Sequence, residues 1–223
     1  MRRDFDLSLY FIVGPSHVAG DPVALVQAAV QGGVSLIQLR DKTSGTRQMV
    51  DSARRLLTVL NGTGVKLFIN DRVDVALACG AYGVHLGASD MTPEDARRIA
   101  GDGLAIGVTV KTVDEVRRID PAIVDYASIG GVFDTKSKQN DSAPLGLSGL
   151  REMVSALDAL APEMPRCAIA GIDLEKAGSV AACGLDGVCT ISAIALAPNA
   201  EDAARAIRQT VDANKRGRES AFA

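Results

Sequence analysis

The chain has 223 residues, of which 47% are hydrophobic and 23% charged, and its formal net charge is −3. That length suits one α/β domain, since barrels of this class run to about 250 residues undivided. The slightly acidic balance excludes a global basic field for nucleic acid. The apolar run Leu9–Gly14 is far too short to span a bilayer, so no membrane role is expected.

The opening Met-Arg-Arg-Asp-Phe-Asp is not followed by a signal-type apolar core, which predicts a cytoplasmic protein. The cysteines Cys79, Cys167, Cys183 and Cys189 form no C-x-x-C pair, and the histidines are only His17 and His85. A zinc site is therefore not expected, and buried reduced thiols fit the cytosol.

In chain order, short apolar runs alternate with helix-period segments. Strands are predicted at Leu9–Val13, Val34–Leu39, Lys66–Ile69, Gly83–Leu86, Leu104–Val108, Tyr126–Ile129, Arg166–Ala170 and Gly187–Ile191. They are rich in Val, Ile and Leu without polar alternation, as expected of parallel strands covered on both faces. Helices are predicted at Val23–Gln31, Ser44–Leu60, Asp71–Cys79, Glu94–Ala100, Thr112–Ile119, Leu147–Leu160, Asp173–Cys183 and Asn199–Ala213. Asp21-Pro22 and Thr92-Pro93 read as N-caps followed by proline at the first helical position. Gly32-Gly33, Gly80, Gly101 and Gly184 fall where helices should stop. The related phrases Cys79-Gly-Ala-Tyr-Gly-Val84 and Cys183-Gly-Leu-Asp-Gly-Val188 mark the βα period. Eight such units favour a closed single (β/α)8 TIM barrel over a doubly wound open sheet. One domain, residues 1–223, is expected, with residues 214–223 a frayed polar tail.

Active sites of such barrels lie at the C-terminal ends of the strands. The second strand ends in Gln38-Leu39-Arg40-Asp41-Lys42. Residues two apart share a face, so Gln38, Arg40 and Lys42 converge above Leu36, three donors suited to a polyanion. Asn70-Asp71 follows the third strand, and Gly87-Ala88-Ser89-Asp90 the fourth. Asp71 and Asp90 could share Mg²⁺, which takes a few carboxylates plus phosphate oxygens. Each also precedes a helix, so capping alone would account for it. The polar stretch Gly130–Asp141 after the sixth strand reads as a substrate lid or as a solvated loop. Gly171 and Ser192, after the last two strands, stand where barrels often hold a phosphate. His85, inside the fourth strand, reads as a satisfied core histidine, and Tyr10 as packing or as a ring against substrate.

Taken together, Gln38–Lys42, Ile69-Asn70-Asp71-Arg72, Gly83–Gly87 with Asp90, Phe133-x-Thr135-x-Ser137-Lys138, Ala170-Gly171-Ile172 and Ile191–Ile194 resemble the thiamine-phosphate synthase family, in order and spacing, across nearly the whole chain. The resemblance implies a Mg²⁺-dependent transferase that joins hydroxymethylpyrimidine diphosphate to a thiazole phosphate and releases diphosphate. It implies that Gln38, Arg40, Lys42, Asn70 and Lys138 hold the pyrimidine diphosphate, with Leu39, Asp41 and Lys136 in the same motifs, and that Asp71 and Asp90 ligate the metal. It places Thr109 near the pyrimidine. Thr135, Ser137, Gly171, Ile191 and Ser192 would surround the thiazole phosphate. Arg40, Lys42, Lys138 and Thr109 would carry the chemistry. The partners implied are these small molecules, and a homo-oligomer is compatible with all of this.

The sequence departs from the family pattern at Gly131-Val132-Phe133-Asp134, where Gly-Pro-(Ile/Val)-Phe-(Pro/Ala) is common. It departs again at Ser137 and Thr109, which keep a hydroxyl, at Ala88, and at Ala170, which replaces the first glycine of a Gly-Gly-Ile turn. Three other readings share parts of this pattern. A thiazole tautomerase on the same barrel wants a histidine where Lys111 stands. A sugar-phosphate isomerase or aldolase wants an acid–base pair or a strand-centred lysine, and the one strand lysine, Lys66, lies at the wrong end. The third is a degenerate copy that binds precursors without turnover.

Overall fold

A computed structural model describes residues 4–18, 21–135 and 143–215. The strands are β1 (Leu9–Val13), β2 (Leu36–Leu39), β3 (Lys66–Asn70), β4 (Gly83–Leu86), β5 (Ala105–Val110), β6 (Tyr126–Ile129), β7 (Arg166–Ile169) and β8 (Gly187–Thr190). They close in sequence order into a parallel barrel, β8 pairing back onto β1 through Tyr10 opposite Cys189. The helices are α1 (Pro22–Gln31), α2 (Thr46–Leu60), α3 (Val73–Cys79), α4 (Pro93–Ala100), α5 (Val113–Arg117), α6 (Gly146–Leu160), α7 (Leu174–Ala181), the short α8 (Ser192–Ala195) and α9 (Ala200–Asn214).

Local sequence explains the helix ends. The Asp21 carboxylate accepts from the Val23 N–H ahead of Pro22, and the Thr92 hydroxyl accepts from Asp95 N–H ahead of Pro93. Both satisfy first-turn donors that the helix itself leaves open. Gly80 ends α3 in the left-handed conformation, φ 77°. In α2 the buried residues Met49, Val50, Ala53, Leu56 and Leu60 recur every three or four positions and form one stripe against the barrel.

Two apolar layers result. Phe11, Val13, Ile37, Leu39, Leu67, Ile69, Val84 and Leu86 face outward and pack with the helices. Tyr10, Ile12, Leu36, Phe68, Ala105, Tyr126, Cys167 and Cys189 fill the interior. The period of two expected of a strand is therefore present, but both faces are apolar over most of the barrel, and that hides it in the sequence.

Several boundaries shift for physical reasons. β5 runs on to Val110 because Thr109 and Val110 pair with Ser128 and Ile129. β7 stops at Ile169 because Ala170 turns to φ 98°. Asp71 lies outside α3, whose cap is Arg72. Asn214 is still helical and Lys215 is tied to Val211, Asp212 and Ser8, so the frayed tail expected from 214 does not begin there; residues 216–223 lie outside the described part. Among the described residues no helix is long and apolar enough to cross a membrane.

Candidate active site

At β2 to β6 the last inward-facing position is polar. Gln38 (β2), Asn70 (β3), His85 (β4), Thr109 (β5) and Ser128 (β6) line one cavity with Tyr10 and Ile12. Arg40, Lys111, Gly130, Gly131, Thr135, Ala170, Gly171 and Ile191 join the wall from the loops, with Thr190 at the end of β8 and Ser192 at the start of α8. This is the C-terminal face of the barrel, where loops from several strands meet.

The polar groups here are incompletely satisfied. Gln38 is 1% exposed, yet its Oε1 has no hydrogen-bond partner, and neither do Asn70 Nδ2 and Thr190 Oγ1. Buried polar atoms without partners cost about 1–3 kcal/mol each. Such groups in a cavity wall suit a ligand that supplies the missing bonds.

Across the cavity floor runs a connected chain. Gln38 Nε2 donates to the Tyr10 hydroxyl at 2.5 Å, and the Tyr10 and Tyr126 hydroxyls lie 3.0 Å apart. Tyr126 OH is 2.6 Å from His85 Nδ1, and His85 Nε2 is 2.7 Å from Thr109 Oγ1. Burial pushes both phenols well above their ordinary range, so they stay protonated. His85 is thus satisfied, as expected, but it also lines the cavity. Tyr10 contributes a hydroxyl contact as well as packing.

Asp71 is one of two described non-glycine residues with positive φ, at 63°. Its N–H donates to the His85 carbonyl at 2.8 Å, which ties the end of β3 to β4. Asp tolerates this region better than most residues. The turn aims its carboxyl at Asp90, with Lys42 as a second partner. Burial and the neighbouring Asp90 raise the Asp71 pKa, and Lys42 partly offsets them. Asp90 also closes the Gly87 turn, accepting from Gly87 N–H at 2.7 Å. Neither aspartate caps a helix, so the capping explanation does not hold. Two facing carboxylates fit a divalent cation. Among the described residues no group of three or more His, Cys, Asp or Glu could hold a metal unaided. Oxygens of a bound phosphate would have to complete the shell of an ion such as Mg²⁺.

Two residues of the Gln38–Lys42 motif face elsewhere. Leu39 is 1% exposed in the helix-side layer, because strand alternation turns it away from its neighbours Gln38 and Arg40. The Asp41 carboxylate accepts from Thr43 and Ser44 N–H and from the Thr43 hydroxyl. Burial raises its pKa, but those hydrogen bonds outweigh burial and hold it low. Both residues shape the loop without lining the cavity. Lys136, Ser137 and Lys138 lie outside the described residues.

On the opposite wall Ala170 has φ 98° and Gly171 φ 64°. A Cβ on Gly171 would meet the Asp134 carbonyl oxygen at 2.3 Å, so only glycine fits there. Ala170 holds a glycine-type conformation with a methyl group, at about 1–2 kcal/mol. Motif reading overlooked Tyr126, Ser128, Lys111 and Thr190. The signal for the first two was strand parity: they are the inward positions of β6.

The fold and this polar, partly cationic mouth define a (β/α)8 barrel with an enzyme-type cavity at the C-terminal ends of its strands. The chain matches the family model described as thiamine monophosphate synthase over residues 9–194. It is 47% identical to the thiamine-phosphate synthase of Agrobacterium fabrum, covering 98% of this chain and 99% of that protein. It is 42% identical to the one from Clostridium novyi, covering 86% and 92%. The solved thiamine phosphate pyrophosphorylase from Pyrococcus furiosus superposes with a TM-score of 0.82 at 34% identity, covering 93% of this chain and 96% of the other. The chain belongs to the thiamine monophosphate synthase family, and it is a transferase.

Proposed function

We infer that the chain joins 4-amino-2-methyl-5-hydroxymethylpyrimidine diphosphate to a thiazole phosphate, giving thiamine phosphate and free diphosphate. The observation that carries this reading is a cavity at the strand ends, where Arg40 and the partnerless Gln38 and Asn70 atoms meet Thr109, Thr135, Gly171 and Ser192.

In this reading Gln38 and Asn70 orient the pyrimidine half, with Thr109 beside the ring. Arg40 and Lys42, joined by Lys138 and Lys136, hold the diphosphate and balance its charge as the C–O bond lengthens. Asp71 and Asp90 would hold Mg²⁺, which supplies charge neutralisation of the leaving diphosphate when bound. The bond can break ahead of attack because the aminopyrimidine stabilises the methyl cation left behind. The thiazole nitrogen then forms the new C–N bond. That nitrogen carries no proton to remove, so the site needs no general base, and positioning supplies much of the remaining acceleration. Thr135, Ser137, Gly171, Ile191 and Ser192 surround the thiazole phosphate, with backbone N–H groups of the glycine turn and of α8 as donors. The partners are small molecules, and the reaction belongs in the cytoplasm, where phosphorylated precursors are made.

The test is direct. The purified chain is incubated with both precursors and Mg²⁺, and thiamine phosphate and diphosphate are measured. One of each per turnover is expected, with none when either precursor is omitted and strong loss with a chelator. Binding of both precursors without diphosphate release, even in a single turnover, would overturn the reading.

A further inference from the structure

We propose that Tyr10, Tyr126 and His85 form a polarised relay, oriented from Gln38, that fixes the Thr109 hydroxyl as a hydrogen-bond donor toward bound substrate.

The argument is a count of protons. The Gln38 Nε2 atom can only donate, and it does so to the Tyr10 oxygen. Directed along the chain, the single Tyr10 proton goes to the Tyr126 oxygen, 3.0 Å away, and not into the cavity that Tyr10 also lines. Tyr126 then directs its own proton at His85 Nδ1, 2.6 Å away. A neutral imidazole accepting at Nδ1 carries its proton on Nε2. That proton goes to Thr109 Oγ1 at 2.7 Å. The Thr109 proton must then point elsewhere, and Thr109 lines the cavity. Both phenols are held protonated by burial, so neither loses its proton near neutrality.

Turning the Gln38 amide over would reverse every link. The His85 proton would move to Nδ1, and Thr109 would become an acceptor for the substrate. The two ends are therefore coupled: an acceptor at Gln38 goes with a donor at Thr109. Either orientation leaves one Gln38 atom without a partner; with Nε2 on Tyr10 that atom is Oε1, the acceptor end of the first polarity. An aminopyrimidine, with a donor amine beside acceptor ring nitrogens, is complementary to that pair. This last step rests on the proposed function; the proton count does not. Tyr10, Tyr126 and His85 are positioning residues that act through Thr109.

The test reads the tautomer first. Long-range ¹H–¹⁵N spectra of the ¹⁵N-histidine-labelled full chain, without substrate, contain two imidazoles, and His17→Asn identifies which is His85. A neutral ring protonated at Nε2 is expected. A proton on Nδ1, or an imidazolium at neutral pH, overturns the relay. In Tyr126→Phe the Nε2–H preference should be lost, and kcat should fall at least about tenfold, the scale of one hydrogen bond. The KM for thiazole phosphate should stay within about twofold. Thr109→Val should reproduce the kcat loss, and Thr109→Ser should restore most of it. A folded Tyr126→Phe with wild-type kcat, or a Thr109→Val that turns over normally, sinks the proposal. If Tyr126→Phe does not fold, the wild-type tautomer and Tyr10→Phe decide by the same criteria. The tautomer is read without turnover, so its failure would leave the proposed reaction standing, and absence of thiamine phosphate would leave the tautomer standing.

Discussion

The two ends of the barrel treat buried polar groups in opposite ways. At the N-terminal end, Arg166 is fully buried, yet its guanidinium donates to the carbonyls of Met164, Val154 and Pro162 and to Asp158. Arg97, partly buried, is likewise saturated, reaching the carbonyls of Gly101, Leu104 and Ile123 and the Asp125 carboxylate. Asp125 and Asp186 in turn accept from the N–H groups of Ile106 and Arg166. At the C-terminal end, Gln38 Oε1, Asn70 Nδ2 and Thr190 Oγ1 lack partners, two carboxyls face each other, and two non-glycine residues sit at positive φ. The difference teaches how to separate stability from function on this scaffold. Saturated polar clusters hold the loops of one end in place. Unsatisfied and strained groups at the other end are stored for a ligand.

The comparison can be broken most easily at Arg166. Arg166→Ala should cost about 3 kcal/mol or more in chemical denaturation, since several buried carbonyls lose their donor together. Activity per folded molecule should be unchanged. Loss of activity without loss of stability would erase the distinction between the ends.

Arg40→Ala should behave in the reverse sense. Turnover with the pyrimidine diphosphate should fall about 100-fold, roughly 2.7 kcal/mol of transition-state stabilisation. The unfolding midpoint should hardly move, and the KM for thiazole phosphate should stay near wild type.

Asp71→Asn sharpens the point, because function and stability should separate in sign. The folded-state pKa of Asp71 is raised, chiefly by burial and then by Asp90. Its contribution to stability is therefore present below the unfolded carboxyl pKa and lost as pH rises through the folded value. At neutral pH, without metal, Asp71→Asn should melt slightly higher than wild type, because a neutral side chain replaces an unfavourable charge and Asn tolerates positive φ. Activity should drop sharply. A lower melting temperature at neutral pH would count against this account.

The smallest effect is expected at Ala170. Ala170→Gly should stabilise the fold by under about 1 kcal/mol in denaturant titration, relief of strain being partly cancelled by the greater freedom of glycine when unfolded. No change, or destabilisation, would show that the turn carries no strain.

Much of the fold was legible because its signals are local. Asp21-Pro22 and Thr92-Pro93 start helices through bonds made within three residues, and apolar strand runs need no knowledge of their partners. The Gln38–Arg40 face was legible by strand parity. Leu39 was legible in the same way, and grouping the whole pentapeptide as one site missed it. Asp71 was ambiguous, because an aspartate before a helix reads as a cap until its φ is known. Ser128 and Tyr126 share one face of β6 by strand parity, but with both faces of the strand buried, parity alone does not say which face looks inward.

By itself the sequence determined the sort of barrel, its order of strands and helices, and the chemical inventory at the strand ends, since each follows from propensity, caps and period within a few residues. Only the tertiary structure decided that Tyr10, Tyr126, His85 and Thr109 join into one chain, and that Asp71 turns toward Asp90. Those contacts span up to 116 positions and exist only after the eight strands close on one another.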